Sequence, residues 1–361
     1  MPILGGVRIT AEAGELILGG TDLETWATGR AVGAVELGEG PDSVVVDARV
    51  LSQIVAKAKA GAVKLDNTRE EWGLTICADE LETTIPTMPV EQFPEQAETV
   101  SGFHLCTLTG DQFKGLASRA KKCAAKATGY EGAIHPWKSS TSINYGGGFV
   151  RFVTSEGYAL LSEEYPAAGR ETGALLVEAA AVQRVAGLVK RGDPVRLEVL
   201  PGKPARLVIS FRASTFTIRG IDEEAPDFSR AIPRATWPEA TEATMDRARL
   251  VAMLERAAIV APDDSHAVTL TMDAGAVMGS SASNDRGALC ETMPAAVQLQ
   301  EDGRTLCDIS FDVRRILQTL QGIKADTVTL TLTEAERAAR IRFEDAPALS
   351  WVLMPVRVKE Q

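Results

Sequence analysis

A pattern of apolar and polar positions recurs three times along the chain. In each copy an acidic residue precedes apolar residues spaced three and four apart, and an alternating run follows. Such spacing predicts a helix with one apolar face between two strands. The copies are residues 44–66, 175–199 and 308–332, and their acids are Asp47, Glu178 and Asp312. The acids lie 131 and 134 residues apart, a spacing typical of whole domains rather than of solenoid repeats.

The elements around these copies recur in the same order. Alternating runs precede each helix at 14–30, 147–166 and 275–294, and others follow at 72–89, 205–221 and 339–358. Further amphipathic helices open the second and third blocks, at 109–127 and 245–261, whereas the first block begins with a strand at 2–10. Strands therefore outnumber helices, which predicts an α+β fold of antiparallel sheets with up to two helices per block on one face.

Two acidic stretches that contain proline separate the blocks. They are residues 89–102 and 232–243, and helices rarely continue through such X-Pro steps. We therefore expect three domains, with boundaries at 1–100, 101–240 and 241–361, of which the first is N-terminally incomplete.

Composition narrows the class of protein. The chain has 361 residues, 45% hydrophobic and 24% charged, which is typical of a soluble globular protein. Apolar runs fall short of the ~18 residues that a membrane span needs, and the first residues lack the pattern of a signal peptide. The five cysteines are scattered and form no CxxC pair, which favours reduced thiols. These features predict a cytoplasmic protein that has no membrane partner.

The positions of the charged residues matter more than the net charge of the chain. A formal net charge of −11 argues against an ordinary nucleic-acid binder, since those are usually basic. The basic residues nevertheless concentrate on the predicted helices, whereas acids crowd turns and linkers. The alternative is a solvated helix face, with lysines near the C-terminal end that complement the helix dipole. If all the helices face one way, the protein has a basic inner surface and an acidic exterior.

Motifs for catalysis are missing from the sequence. It contains no GxxxxGK[ST], HExxH, GxSxG or strand-linked GxGxxG pattern. The three histidines, His104, His135 and His266, are too far apart to indicate a metal site. We therefore predict a protein that is not an enzyme and uses no metal or other cofactor. An unrecognised enzyme with a hidden acid/base pair is the least favoured hypothesis.

Two motifs carry a resemblance to a known family. They are "APDFSRAIP" at 225–233 and "SWVLMPVRV" at 350–358, supported by "PILGG", "GTDLE" and "IPTMPVEQFPE". Together they resemble the bacterial β sliding clamp, the processivity subunit of the replicative DNA polymerase. The resemblance implies the DNA-clamp fold, in which two subunits of three domains form a head-to-tail ring. Helices line the hole around duplex DNA, and sheets form the rim.

The resemblance also implies functional residues. It implies a homodimer that binds double-stranded DNA without sequence preference, and that binds the polymerase and the clamp loader through short linear peptides. The residues expected to face DNA are Lys57, Lys114, Arg119, Lys121, Lys122, Lys126, Arg314 and Arg315. The residues expected to form the peptide groove are Ser155, Gly157, Tyr158, Leu160, Pro226, Arg230, Ala231, Val352, Met354, Pro355, Val356 and Arg357. Cys106, Leu108, Ile259 and Val260 are expected at the subunit interface.

Several positions depart from the family pattern. Residues 155–159 read Ser-Glu-Gly-Tyr-Ala where the family usually has Thr-Asp-Gly-His-Arg, and Asp312 and Arg315 replace an Asn and a Tyr. The helix and strand that open the family's first domain are missing before Met1. Either the true start lies upstream or the clamp is shortened, and we favour an upstream start.

Two functions remain open from the sequence. The first is a sliding clamp that encircles DNA and tethers the polymerase for processive synthesis. The alternative is a divergent or truncated paralogue that acts as a peptide-binding scaffold without closing around DNA. The Met-Pro-Val run also has a simpler interpretation, as a final edge strand packed on the core.

Overall fold

The computed structural model describes residues 2–12, 14–32, 43–58, 63–67, 73–78, 80–95, 101–233, 240–298 and 308–358. In the first of these ranges the chain begins with a 3-10 helix, Pro2–Gly5. Its elements up to residue 109 are β1 (Gly6–Glu12), β2 (Glu15–Thr21), β3 (Thr25–Val32), β4 (Ser43–Asp47), α1 (Ala48–Lys57), β5 (Lys64–Asp66), β6 (Gly73–Ala78), β7 (Leu81–Met88) and β8 (Phe103–Thr109). A second 3-10 turn covers Val90–Gln92.

The middle of the chain alternates strands with short helices. Its elements are α2 (Gly110–Cys123), α3 (Tyr130–Ile134), β9 (Ser140–Gly146), β10 (Phe149–Ser155), β11 (Ala159–Pro166), β12 (Gly173–Glu178), α4 (Ala179–Ala186), β13 (Pro194–Leu200), β14 (Arg206–Phe211) and β15 (Ser214–Arg219). 3-10 turns cover Pro136–Ser139 and Phe228–Arg230.

The last third repeats this alternation. Its elements are β16 (Thr241–Asp246), α5 (Arg247–Val260), β17 (Ala267–Asp273), β18 (Ala276–Ser283), β19 (Gly287–Pro294), β20 (Ala296–Gln298), β21 (Ile309–Asp312), α6 (Val313–Gln321), β22 (Thr327–Leu332), β23 (Ala339–Phe343) and β24 (Leu349–Leu353). The three strand–helix–strand copies expected from the sequence are therefore confirmed as β4–α1–β5, β12–α4–β13 and β21–α6–β22.

Acidic side chains begin several of these helices. Asp47 Oδ1 accepts a hydrogen bond from the Val50 backbone N–H at 2.8 Å, and Asp312 Oδ1 accepts one from Arg314 at 2.9 Å. Asp246 caps α5 in the same way. These contacts satisfy backbone donors that have no partner within the helix. The acids that precede the repeated apolar pattern in the first and third copies are thus N-caps.

The chain divides into two compact units. The first comprises residues 1–114 and 184–221, and it contains one sheet of eleven strands in the order β5-β6-β7-β4-β1-β2-β3-β15-β14-β13-β8. The second comprises residues 115–183 and 222–361. It contains a nine-stranded sheet, β12-β9-β10-β11-β24-β23-β22-β16-β20, and a four-stranded sheet, β19-β18-β17-β21. Every pairing between described strands is antiparallel, as the sequence predicts.

The sheets do not follow the sequence boundaries of the three expected domains. Strands from residues 101–240 contribute to the eleven-stranded sheet through β8, β13, β14 and β15, and to the nine-stranded sheet through β9 to β12. The pairing of β3 with β15 and of β11 with β24 joins one block to the next within each unit. The boundaries of the three domains therefore stay a prediction from the sequence repeat. The two compact units have different boundaries because strands of neighbouring blocks pair edge to edge in one sheet.

Each unit has its own apolar core. In the first unit, Leu51 of α1 packs with Val46, Leu74 and Ile76 of the sheet. In the second, α5 and α6 bury residues such as Leu254, Ile316 and Leu320 against the strands. Across the described ranges, no helix is long and apolar enough to cross a membrane.

The buried cysteines give a test of this packing. Burial raises the pKa of the Cys106 and Cys123 thiols to about 12. At pH 8 only about one thiol in ten thousand is then the reactive thiolate, and the fraction grows only as the pH rises towards 12. We expect iodoacetamide at pH 8 to label neither residue in the native protein and both in guanidinium, as read by peptide mass spectrometry. Equal labelling before and after unfolding would contradict the burial.

Candidate functional site

The second unit presents an apolar strip where β11 and β24 pair. Leu160 lies opposite Val352 in this antiparallel pair. Both side chains are buried, and they cluster with Val153 and Ala338. Leu160 and Val352, both expected in the peptide groove, are thus brought together by strand pairing and form the floor of this strip.

The turn between β10 and β11 forms one rim of this strip. Ser155 Oγ donates a hydrogen bond to the Ala159 carbonyl at 2.9 Å and accepts one from the Gly157 N–H at 3.1 Å. Gly157 has a φ of +107°, a backbone conformation that residues other than glycine rarely adopt. This closed turn projects Tyr158 outward, and its side chain is 62% exposed.

The chain after β24 lies beside that turn. The Met354 N–H donates to the Tyr158 carbonyl at 2.8 Å, and Met354 is 42% exposed. Pro355 and Val356 are half-buried, and the Val356 N–H donates to the Ser310 carbonyl at 2.8 Å. Large apolar side chains that remain exposed beside a buried apolar floor are typical of a surface that binds another chain.

The segment 226–233 covers the same sheet face. Phe228 and Ile232 pack against the floor cluster, and the Phe228 ring lies 5.8 Å from that of Trp137. Pro226 and Ala231 are exposed. Arg230 closes the 3-10 turn of this segment, but its side chain lies outside the described part of the structure. Arg357 is exposed at the other end of the strip.

A charged cluster borders the groove at the positions that depart from the family pattern. Arg315 forms an ion pair with Glu156, and its guanidinium carbon lies 5.1 Å from the centre of the Tyr158 ring. Asp312 lies 3.8 Å from the same guanidinium. The sequence indicated substitutions at these positions, but not that they contact one another. Arg315, expected to face DNA, instead contacts a residue of the predicted groove.

Two other arginines expected to face DNA are also held in ion pairs. Arg119 donates two hydrogen bonds to the buried carboxylate of Glu163, at 2.7 and 2.9 Å, and Tyr165 donates a third at 2.9 Å. Arg314 pairs with Asp312 at 2.8 Å. Because these guanidinium groups are already paired with carboxylates, little of their positive charge is available to bind phosphates.

The lysines differ from the arginines. Lys57, Lys114, Lys122 and Lys126 are exposed and Lys121 is half-buried. Lys114 Nζ donates to the Val189 carbonyl at 3.2 Å. In the described ranges, no carboxylate lies within ion-pairing distance of any of the five. Their positive charges are therefore uncompensated, as phosphate-facing residues require.

The residues expected at the subunit interface fall into two groups. Ile259, at the end of α5, is 69% exposed, and Val260 is half-buried, so both are available to a second chain. Cys106 and Leu108 are only 3% and 2% exposed in the single chain. Their side chains therefore face the core of their own chain, although β8, which carries them, is the last strand of the eleven-stranded sheet. Their place at the interface stays a prediction.

No cluster of three or more His, Cys, Asp or Glu side chains suited to a metal ion occurs in the described ranges. Among the described residues, the features open to a partner include the apolar strip with its charged rim and the exposed lysines of the helices.

Family models match both ends of the chain. The model of the DNA polymerase III beta subunit, N-terminal domain, matches residues 1–97, and the model of its C-terminal domain matches residues 229–357. Among curated proteins, the beta sliding clamp of Pseudomonas aeruginosa is 25% identical, over 99% of this chain and 93% of that protein. The beta sliding clamp of Caulobacter vibrioides is 24% identical, with the same coverage.

Solved structures share the fold. The DNA polymerase III subunit beta from Pseudomonas aeruginosa superposes with a TM-score of 0.82 at 23% identity, covering 99% of this chain and 93% of that one. A sliding clamp from the same organism, bound to griselimycin, has a TM-score of 0.81 at 22% identity, covering 99% and 92%. The expected clamp fold is thus confirmed.

Proposed function

The chain belongs to the DNA polymerase III beta subunit family, and we propose that it is a sliding clamp that encircles duplex DNA during replication. In this role it tethers the replicative polymerase and the clamp loader, and it catalyses no reaction. It acts in the cytoplasm. The observation that carries the proposal is the apolar groove, where buried Leu160 and Val352 lie beneath exposed Tyr158 and Met354.

The groove suits a short linear peptide. Apolar anchors of a peptide remove Tyr158 and Met354 from water, and aromatic and apolar side chains at such positions commonly contribute most of the binding energy. Arg357 at one end can pair with a carboxylate of the peptide. A tether of this kind holds partners of different sequence, provided that they present the same few anchors.

The lysines suit contact with DNA that is independent of sequence. Lys57, Lys122 and Lys126 are exposed without a carboxylate partner in the described part of the chain. Contacts to phosphates carry no sequence information and weaken as salt rises. A ring is retained on DNA by enclosure, so a few lysines suffice even in a chain of net charge −11. This supports the clamp rather than the scaffold.

Strand edges support a head-to-tail dimer. Within the units, β3 pairs with β15 and β11 pairs with β24, so a strand that precedes the strand–helix–strand copy of one block pairs with the last strand of the next. The strands left over by this rule are β19 and β7. β19 ends its sheet, and β7 meets β4 only at Thr87 and Met88. We place the interface between β7 of one subunit and β19 of its partner, with Ile259 beside it, in preference to the edge of β8 that carries Cys106 and Leu108.

Topological retention on DNA tests the clamp itself. We expect protein loaded on nicked circular DNA to stay bound through gel filtration at high salt, and to dissociate when a restriction enzyme makes the DNA linear. The reason is that a closed ring leaves only over a free end. Equal retention on circular and linear DNA would instead indicate binding by affinity, and no retention on either would favour the scaffold.

Truncation of Met354 tests the groove. We expect Met354→Ala to weaken a peptide with apolar anchors by about 1–3 kcal/mol, because an exposed anchor contact is lost while the fold is kept. Calorimetry measures the affinity, and thermal unfolding checks the fold. Val358→Ala is the matched control, since Val358 is 52% exposed in the same tail but outside the groove. Unchanged affinity in Met354→Ala would reject the groove.

A charge at the end of α5 tests the dimer. We expect Ile259→Lys to raise the dimer Kd at least tenfold, about 1.4 kcal/mol, because the interface would bury an unpaired charge. Sedimentation distinguishes the 38.5 kDa chain from its dimer. Leu188→Lys makes the same change at another exposed site, 57% exposed, and should leave the dimer intact. If both variants dimerise as the parent does, Ile259 lies outside the interface.

A further inference from the structure

A polar cleft opens beside the groove, on the same unit. It has a volume of about 230 Å³. The side chains that matter for its chemistry are those of Arg151, Arg340, Glu164, Ser162, Ser229 and Ser350. None of these residues belongs to the groove expected from the sequence.

Arg340 is the unusual member of this set. Its side chain is half-buried and makes no ion pair or hydrogen bond with any described residue, and its Nε is fully buried without a partner. The neighbouring arginines are compensated, since Arg151 pairs with Glu164 at 2.6 Å and Arg342 pairs with Glu242. Arg340 is therefore the one arginine of the three whose guanidinium forms no ion pair with a carboxylate in the part of the chain that the structure describes.

The surroundings penalise this charge. Desolvation by burial lowers the pKa of Arg340, and the positive charges of Arg342 and Arg151 lower it further. The negative charges of Glu242 and Glu164 raise it, but they offset these effects only in part, so the pKa stays below its ordinary value. A half-buried cation that no carboxylate contacts directly is costly, and an anion that enters the cleft would offset both the desolvation and the repulsion. The charge balance of the cleft thus favours a negative ligand.

Hydroxyl groups complete an oxyanion site. Ser162 and Ser350 are register partners in the β11–β24 pair, so their side chains lie on one face of the sheet. Neither hydroxyl has a hydrogen-bond partner among the described residues. A guanidinium fork flanked by hydroxyl donors is the arrangement that binds a planar carboxylate through several charge-assisted hydrogen bonds.

The cleft is continuous with the groove. Arg340 is the register partner of Val352, which forms the groove floor, so both side chains lie on the same sheet face. Ile232 lines the cleft and also packs against the floor cluster. An acidic side chain that flanks the apolar anchors of a bound peptide would lie next to Arg340.

We infer that Arg340 anchors a carboxylate-binding site, which takes an acidic side chain of the peptide whose apolar residues occupy the adjacent groove. The inference rests on the proposed peptide-binding function and adds a charge preference to it. Partner segments are then selected by apolar anchors together with one Glu or Asp beside them.

Peptide pairs that differ in a single charge test the site. Glu is placed in turn at each position that flanks the apolar anchors, and Gln is its uncharged isostere. We expect at least one position where Glu binds the parent about tenfold more tightly than Gln, the effect of one charge-assisted pair. In the Arg340→Gln variant the ratio of the two affinities should fall to about one, so that the Glu and Gln peptides bind equally. The Gln peptide should bind this variant as tightly as it binds the parent.

Controls separate the site from general electrostatics and from the groove. Arg337→Gln removes an exposed arginine of the β22–β23 connection and should keep the tenfold preference, and Arg340→Lys should keep part of it. Thermal unfolding confirms that each variant is folded. A preference that persists in Arg340→Gln, or that is missing from the parent, would overturn the proposal.

A second experiment tests the same site with free anions in place of peptides. Acetate and inorganic phosphate are titrated against the parent and Arg340→Gln at constant ionic strength, with NMR detection. Phosphate binding that requires Arg340, without a Glu preference in any peptide, would identify a free oxyanion as the ligand and overturn a peptide-borne one. If no peptide binds the parent at all, the proposed function fails, and these titrations still show whether Arg340 binds a carboxylate.

Discussion

The pairing of strand edges across blocks is the constraint on which the structure depends. A sheet edge left open exposes backbone donors and acceptors and invites uncontrolled association. Here the edge of β3 is closed by β15 and that of β11 by β24. The second of these pairings also creates the groove, because it sets Leu160 opposite Val352 and holds Met354 beside Tyr158. Substitutions that loosened this pair would therefore disturb folding and partner binding together.

The same constraint explains how the chain can be both acidic and suited to DNA. Backbone hydrogen bonds close the sheet edges, so this pairing places no requirement on the side chains of the helices. The charge on the helices can therefore differ from that of the rest of the chain. The buried pair of Arg119 with Glu163 shows that a basic helix residue can serve packing. Exposed lysines such as Lys122 and Lys126 form no ion pair with another described residue, and they carry the available positive charge instead. For a ring retained by enclosure, weak phosphate contacts are an advantage, since a tight site would hinder sliding.

Periodicity predicted the local structure well, because it reports which face of an element is buried. The strand–helix–strand copies were confirmed, and the acids Asp47 and Asp312 are N-caps as their positions indicate. The opening "PILGG" differs, since Pro2–Gly5 forms a 3-10 helix before β1 begins. Contacts between distant segments could not be predicted in this way. Nothing in the local pattern indicates that Arg119 meets Glu163, or that Cys106 is buried within its own chain, because both depend on which strands pair.

The resemblance placed the groove, and the structure supplies what distinguishes this chain from a generic clamp. Tyr158, Glu156 and Arg315 replace family residues, and they contact one another at the rim of the groove. Arg315 is held by Glu156 and lies near Asp312, so its positive charge is largely compensated. What this part of the rim offers a peptide is therefore mainly the aromatic ring of Tyr158, over which the guanidinium of Arg315 lies. Arg340, on the sheet face beside the floor, is charged and without a partner in the described ranges. If Arg340 binds a carboxylate as we propose, the cleft rather than the rim discriminates between polar partners. Partners of this clamp are then expected to have diverged in the residues that flank their anchors rather than in the anchors themselves.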